Sequence, residues 1–264
     1  MPSVSNVAIG ANMAASAATK ARHGMNESIA RLSTGIRAMY GGDAAGHSAG
    51  TIATAHGKSF AQAARNVEDG ISVAQMQESV LLEIANLAQR MRELGIAFDN
   101  AAILDGNQEA ALTAEVAAIG DTIESLVDNT KFNDHEILTN AGTQFAIAYD
   151  HKNANTTNVG ANTAIARTDT IASADGADSS ADTILGSVAA ALGNVAADLS
   201  ALKAHQGAAS ATSANLAAAG ARLLDTDFAL ETASLTKNAI LNQAALAMTA
   251  QANQAQSAIL AVLQ

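Results

Sequence analysis

Apolar side chains in the N-terminal part of the chain recur every three or four residues, which is the period of one helix face. A first helix is predicted over residues 7–36, with coiled-coil spacing that one arginine interrupts. Its stripe consists of Ala18, Arg22, Met25, Ile29, Leu32 and Ile36. A second helix is predicted over residues 51–99, and at 1.5 Å per residue it would be about 70 Å long. Such a length indicates a coiled coil or a bundle.

The glycines between the first two predicted helices indicate a break in the chain. Five of them fall in residues 35–50. Glycine inside a helix is unfavourable by about 1 kcal/mol per site. We therefore predict a loop or a broken connector over this segment.

The middle of the chain changes its period. A third helix is predicted over residues 108–128, and then Phe145, Ile147 and Tyr149 alternate with smaller or polar residues, as in a strand. We predict a β-hairpin in which residues 165–171 form the weaker partner strand. The irregular segments predicted around these elements are residues 129–142, 150–161 and 173–182.

The helical period returns in the C-terminal part, over residues 184–224 and again over residues 228–263. The Asp-Thr-Asp sequence at residues 225–227 predicts a helix cap or kink between them. The stripe of the final helix consists of Ala245, Met248, Ala252, Ala255, Ile259 and Val262. The fold class is therefore mainly α, a long helical coiled-coil or bundle rod with a small β-hairpin, in which the N- and C-terminal helices pair.

Composition supports this architecture and adds a constraint. Apolar residues make up 49% of the chain but aromatic residues only 3%, and the single proline is Pro2. Alanine dominates the apolar count, both terminal segments are rich in it, and each buried CH₂ group contributes only about 0.8 kcal/mol. Neither terminal helix can be stable alone, so both are expected to pair with other helices, as assembly elements do.

Charge and residue usage exclude several classes of function. The net charge of −11 argues against a nucleic-acid partner. There is no cysteine and no unbroken apolar run long enough for a membrane span, so we expect no membrane association. The first 20 residues lack the basic head and apolar stretch of a cleaved signal peptide. Taken alone, that N-terminus would predict a cytoplasmic protein.

The chain offers little catalytic or metal-binding chemistry. His135 and Glu136 resemble the start of a zinc-protease helix, but Thr139 stands where the second histidine is required. The glycines of residues 35–50 are not followed by the lysine of a phosphate loop. The other histidines lack metal-ligand spacing: His23, His47, His56, His151 and His205. We predict no metal, no cofactor and no enzyme activity.

A charged cluster on the second predicted helix can be interpreted in two ways. Arg90, Arg92 and Glu93 can form a solvated face, as charged residues on helices usually do. They can also form a polar contact surface beside the apolar stripe that contains Leu94. Spacing does not decide between the two.

The N-terminal part contains several short motifs in a fixed order. Residues 28–37, SIARLSTGIR, resemble S-x-x-R-L-S-S-G-x-R, and residues 43–46 read D-A-A-G. Residues 62–72, QAARNVEDGIS, resemble Q-A-x-R-N-A-x-D-G-I-S, and residues 89–94 match Q-R-x-R-E-L. These motifs resemble those of bacterial flagellins, and the sequence departs from the family pattern at Gly42, His47 and Ser48.

The C-terminal part carries matching motifs in the expected order. Residues 225–232, DTDFALET, resemble D-x-D-Y/F-A-x-E-x, and residues 240–244 and 250–254 resemble I-L-x-Q-A and A-Q-A-N-Q. Ala255 replaces the usual proline, and residues 184–222 match weakly. The resemblance covers about two-thirds of the chain, and it leaves little room between the conserved arms for large outer domains.

The resemblance implies a structural subunit that polymerises into the bacterial flagellar filament for motility. It implies an extracellular location, reached by type III export without a cleaved signal peptide, which replaces the cytoplasmic prediction. The implied partners are further copies of the chain in a helical homopolymer, an export chaperone, and the cap and hook-junction proteins. The alternative within the same appendage is a hook–filament junction protein. An enzyme inserted in a flagellin scaffold is disfavoured because the middle of the chain is short.

The resemblance also implies a division of the chain and two functional surfaces. The parts are residues 1–40 and 225–264 for the filament-core coiled coil, 41–140 and 184–224 for the helical rod, and 141–183 for the hairpin and surface loops. Self-assembly is expected to use Met25, Ile29, Leu32, Ile36, Met248, Ile259 and Val262. In flagellins the positions equivalent to Arg90, Leu94 and Glu115 are read by the animal innate-immune flagellin receptor, which is therefore a possible partner.

Overall fold

The computed structural model describes residues 2–37, 42–138, 145–150, 152, 155–160, 165 and 173–262. Among these, the side chains of residues 2–8, 101, 256, 259, 260 and 262 are not described. The helices are α1 (Pro2–Thr34), α2 (Ala44–Phe98), α3 (Gly106–Asn129), α4 (Ala177–Leu224) and α5 (Phe228–Val262), with a 3₁₀ turn at Ala101–Ile103. The strands are β1 (Lys131–Phe132), β2 (His135–Glu136), β3 (Phe145–Ala148) and β4 (Thr156–Val159).

The predicted fold class is confirmed: the chain is mainly helical, its long helices pair as α1 with α5 and α2 with α4, and it contains a small hairpin sheet. The residues fall into two compact units. The first unit comprises Met1–Ala55 with Leu216–Gln264, and the second comprises His56–Asn215.

The second unit has a core of its own. Along the apolar stripe of α2, Val73, Ile84, Met91 and Leu94 are buried, and Ile84 and Met91 have no exposed surface. Fully buried side chains of α4, among them Ile184 and Leu202, complete the same cluster. Burial of each such side chain stabilises the fold by about 1.5–3 kcal/mol. This unit therefore has an apolar core within one chain, while Leu82, Ile96 and Ile103 of the same unit stay exposed.

Helix α4 was not expected to reach the length and composition of a membrane span. It includes an 18-residue window with a mean hydropathy of 1.4, which meets both requirements. The prediction rested on the lack of an unbroken apolar run, which a mean over 18 residues does not require. Of this window 22% is buried, and Ile184, Val188 and Leu202 of α4 pack in the core of the second unit.

The predicted loop over residues 35–50 is too long. Helix α1 ends at Gly35, which has φ +71°, but α2 already begins at Ala44 and includes Gly46 and Gly50. Asp43 caps α2, because its Oδ1 accepts the N–H of Gly46 at 2.7 Å. A Cβ atom at Gly50 would lie 2.6 Å from Cγ of Leu224. The glycine permits close helix packing at this point and does not end the helix.

The predicted hairpin has a different partner strand. β3 pairs antiparallel with β4, with Phe145 opposite Val159. The partner predicted at residues 165–171 is wrong: Ile165 is buried outside the strands, and the rest lie outside the described residues. The connection between β3 and β4 is therefore shorter than the predicted one. Within it the Asp150 carboxylate accepts the backbone N–H of Lys152 at 3.0 Å. β4 was missed because Val159 is its only bulky apolar residue.

Two contacts attach this hairpin to α4. The Tyr149 ring stacks on the His205 ring with 3.8 Å between centroids. The Asp198 carboxylate accepts the N–H of Gly160 at 3.1 Å. Burial raises the pKa of Asp198, and the Gly160 hydrogen bond offsets this only in part.

A second, smaller hairpin joins β1 and β2 within the segment predicted to be polar and turn-rich. Its turn residues Asn133 and Asp134 have φ of 50° and 65°, which suits a type I′ turn. The carbonyl of Ile137, which follows β2, accepts the Nε2–H of the fully buried Gln77 at 2.7 Å. Gln77 therefore ties this hairpin to α2.

We predict that Gln77→Ala destabilises the second unit by about 2–4 kcal/mol, because it removes the buried donor and leaves a cavity. Gln75→Ala, at an exposed position of the same helix, is the matched control and should change the stability by less than about 0.5 kcal/mol. Urea unfolding of the soluble monomer measures both. Equal effects of the two substitutions would contradict the assigned role of Gln77.

We predict a pH-dependent effect of Asp198→Asn. Because the folded state raises the pKa of Asp198, the stability that this group contributes is greatest below its ordinary pKa and is lost as the pH rises through the folded pKa. The free energy of unfolding of the native chain should therefore fall relative to that of the variant as the pH rises from about 4, near the ordinary pKa of an aspartate, through the raised folded pKa. Asp69→Asn, at an exposed position, controls for the change in charge. A pH-independent difference for Asp198→Asn would refute the assignment.

Candidate assembly surface

Helices α1 and α5 pair antiparallel within the first unit. The Arg31 Nη1 atom lies 3.5 Å from Oε1 of Glu231. One to two turns earlier in α1, Gly24 lies against Asn238, which is later in α5. Later residues of α1 thus contact earlier residues of α5, as in an antiparallel pair. At the base of the pair, the backbone N–H of Arg37 donates to Leu224 O at 2.7 Å, and the N–H of Thr226 donates to Gly35 O at 2.9 Å.

Asp227 begins α5 as the cap that its sequence predicted. Its Oδ1 accepts the N–H of Ala229 at 2.9 Å and that of Leu230 at 3.2 Å. These two hydrogen bonds satisfy backbone donors that the first turn of a helix leaves unpaired. The prediction of a cap at residues 225–227 is therefore confirmed.

The face that α1 and α5 share is made of small and polar side chains. Its buried members are Ala14, Ala18, Ala21, Ser28, Glu231 and Ala245. The α1 members follow heptad spacing, so the predicted coiled-coil seam exists, but it runs along a neighbouring set of positions. Arg22 is exposed and Ile29 is 49% exposed, whereas Ala21 and Ser28 take their places in the seam. Small side chains allow the two backbones to approach more closely than isoleucine would.

The outer faces of the same two helices carry large apolar side chains. Met13 and Leu230 are 68% and 67% exposed, and Met248 is 63% exposed. The other large apolar side chains exposed on α1 and α5 are Ile9, Ile29, Phe228, Ile240, Leu241 and Leu246. This arrangement reverses that of a globular domain. Three of these side chains, Met13, Leu241 and Met248, lie together on one groove, and clustered exposed apolar surface marks a site of protein association.

A groove of about 730 Å³ runs between α1 and α5 on one side of the pair. Its walls are mainly apolar, with two lysines among the lining residues. The lining residues include Met13, Ala17, Lys20, Lys237, Leu241 and Met248. The groove has the dimensions and the lining to accept large apolar side chains from another molecule.

The structure separates the residues predicted for self-assembly into three groups. Met25, Leu32 and Ile36 are half-buried within the chain. Ile29 and Met248 are exposed and available to a partner. The side chains of Ile259 and Val262 lie outside the described part of the structure. Sequence reasoning missed Met13 and Leu241, because the stripes on which it relied began only at Ala18 and Ala245.

The charged cluster on α2 forms an exposed ion-pair network in the second unit. Arg90 donates to Glu115 Oε1 from Nη2 at 2.8 Å and from Nε at 3.1 Å, and to Glu93 Oε2 from Nη1 at 3.1 Å. The hydrogen bond to Glu115 is the main cause that raises the pKa of Arg90. Arg92 pairs instead with Asp182 at 2.9 Å.

Leu94 does not belong to the surface on which the sequence placed it. Its side chain is only 4% exposed and packs in the core of the second unit. Leu94 faces inward because it continues the stripe that includes Met91. Arg90 and Glu115 alone, of the three residues, present polar surface.

The residues considered for metal chemistry are not arranged for it. His135 and Glu136 form strand β2, so they lack the helical geometry that the zinc-protease motif requires. The His135 ring contacts Phe145 edge-on at 5.9 Å. Among the described residues, no group of three or more potential metal ligands comes together.

A helical chain with a small-residue seam inside its terminal pair and large apolar side chains outside defines a class of protein, the self-assembling structural subunit. Residues 5–143 match the family described as the bacterial flagellin N-terminal helical region. Residues 175–263 match the bacterial flagellin C-terminal helical region. The chain belongs to the bacterial flagellin family.

Relatives support the same assignment over almost the whole length. A flagellin of Halalkalibacterium halodurans is 33% identical over 251 residues, which cover 90% of this chain and 91% of that protein. A flagellin of Treponema pallidum is 28% identical and is covered to 92%. Against the longer flagellin of Escherichia coli (strain K12), the match is 38% identical but covers only 25% of that protein. The chain is thus a flagellin without a large outer domain.

The family assignment gives the function. The chain is a structural subunit of the bacterial flagellar filament and lies outside the cell as part of that filament. The matches to flagellins favour this role over the hook–filament junction alternative.

Proposed function

We propose that copies join in the filament through the large apolar side chains on the outer faces of α1 and α5. The observation that carries this proposal is the reversed distribution of size across the pair, with alanine inside and methionine, leucine and isoleucine outside. Side chains such as Met248 and Leu241 gain about 1.5–3 kcal/mol each when a neighbour covers them. A subunit with many such contacts is held firmly although each contact is weak.

This proposal revises the residues of the assembly surface. Ile29 and Met248 keep the role expected from the sequence, and Met13, Ile240 and Leu241 join them. Met25, Leu32 and Ile36 support assembly indirectly, since they are half-buried within the chain. Ile259 and Val262 remain proposed on the sequence pattern alone.

Further parts of the proposal rest on the family. We propose that the chain is exported without cleavage of a signal peptide, and that it meets an export chaperone, the cap and the hook-junction proteins. The filament-core coiled coil would comprise residues 1–40 and 225–264, and the rod residues 41–140 and 184–224, with residues 141–183 as the hairpin and surface loops. The role is purely structural, without catalysis, metal or cofactor.

We predict that Met248→Asp and Leu241→Asp each impair polymerisation. A charge on this surface loses the apolar contact and must be desolvated, so the critical concentration for polymerisation should rise at least about tenfold, which corresponds to 1.4 kcal/mol. Sedimentation of polymers from purified monomers measures the effect.

Gln243→Asp is the matched control, because it adds the same charge at an exposed polar position of α5 between the two test sites. It should polymerise nearly as the native chain does. Far-ultraviolet circular dichroism of the monomers checks that helicity is retained. Normal polymerisation of both test variants would refute the proposed surface.

We also propose that the animal innate-immune flagellin receptor reads the exposed Arg90–Glu115 pair. Both side chains are about half-exposed, at 52% and 46%, so a partner can reach them in the monomer. Arg90→Ala should lower the signalling potency of monomers on receptor-bearing cells by about tenfold, as loss of a central arginine commonly does. Arg65→Ala, at another exposed arginine of α2, should leave potency unchanged. Equal potency of the native chain and Arg90→Ala would exclude this site.

A further inference from the structure

The buried seam between α1 and α5 has an unusual property: its alanines give little preference for one register over another. Ala14, Ala18, Ala21 and Ala245 present nearly identical small surfaces at heptad intervals. If one helix slid past the other by seven residues, alanine would again face small side chains. An apolar seam of this kind therefore favours pairing without fixing the alignment.

The polar side chains in the seam distinguish one register from another. The Arg31 and Glu231 side chains are 31% and 12% exposed, and their charged groups lie 3.5 Å apart. Ser28 of α1 is buried, and Asn242 of α5 contributes a buried Oδ1 without a hydrogen-bond partner. The ion pair lies within electrostatic reach, but Oε1 of Glu231 and Nε of Arg31 complete no hydrogen bond. Such a pair contributes little to stability, and its best-attested use is to specify alignment.

Each alternative register separates the two charges. The observed contacts place Arg31 opposite Glu231 and Gly24 opposite Asn238. A slip of seven residues in one direction would place Arg31 opposite Asn238. A slip in the other direction would place Glu231 opposite Gly24. Both slipped registers would leave a buried charge without its partner, which is strongly unfavourable.

We propose that the Arg31–Glu231 pair is the register determinant of the α1–α5 pair. The pair has a positioning role, because the register fixes how the outer side chains of α1 are aligned with those of α5. The backbone bridge between Ile36 and Asp225 at the base of the pair is the competing device. The inference concerns pairing within one chain and does not depend on the proposed assembly contacts.

Cysteine cross-links can test the register directly, because the native chain contains no cysteine. Gly24→Cys with Asn238→Cys reports the observed register, and Gly24→Cys with Ala245→Cys reports a slip of one heptad. The monomeric band on a non-reducing gel contains only the links within a chain. With the native pair present, only the first reporter should form a disulfide efficiently.

Replacement of the pair by Arg31→Leu with Glu231→Leu should keep the helices paired but relax the register. The ratio of the native to the slipped cross-link should fall about tenfold or more, equivalent to at least about 1.4 kcal/mol. The charge swap Arg31→Glu with Glu231→Arg should restore the native ratio. Glu27→Gln, which removes only the exposed pair of Arg31 with Glu27 at 3.8 Å, should leave the ratio unchanged.

Two results would overturn the proposal. If the double-leucine variant retains the native cross-link alone, the backbone bridge sets the register. If the charge swap slips as far as the double-leucine variant does, the charges have no role in alignment. Because the swap keeps both side chains polar and charged, it tests the proposal even if the leucine variant does not fold.

Discussion

The close approach of α1 and α5 is the constraint on which the first unit depends. Two helices that meet through alanine and serine bury little apolar surface, and they turn their larger side chains outward. The energy that a globular domain obtains from its core is then unavailable to this pair alone, since it scales with the apolar area removed from water. A subunit built in this way is complete only when other molecules cover it.

The second unit follows the opposite rule. Leu81, Ile84, Met91 and Leu202 are fully buried, and small hairpins cover the helices by specific polar contacts. The Gln77 hydrogen bond and the Tyr149–His205 stack hold those hairpins in place. One chain thus combines a unit that is stabilised internally with a unit that is stabilised by assembly. That combination suits a filament subunit, which must be soluble before it polymerises.

Much of the fold could be predicted from the sequence, because helix periods survive dilution by alanine. The five helices, the Asp227 cap and the pairing of the chain termini were all expected. The exact seam was not, because a search for bulky apolar residues selects Ile29 over Ser28, whereas close packing selects the smaller residue. Counting small residues at heptad spacing would have found Ala14, Ala18 and Ala21.

Other errors have equally local causes. The strand at residues 156–159 has one bulky apolar side chain, so its pairing with β3 could not be seen in a hydrophobic pattern. Gly50 looked like a helix breaker but serves close contact with Leu224. Leu94 was assigned to a surface by resemblance, although its place in the stripe of α2 already indicated burial. For the strand and for Gly50, tertiary packing decided between interpretations that the sequence left open, whereas for Leu94 the helical period was the better guide.

The reversed distribution of side-chain size in the first unit is the central claim, and an electron cryo-microscopy structure of the assembled filament tests it most directly. The account predicts that Met13, Ile240, Leu241 and Met248 are buried against neighbouring copies, while Ala18, Ala21 and Ala245 still face one another within each chain. A filament in which those large side chains remain exposed to solvent, or in which the alanine seam opens to pair with other copies, would contradict it.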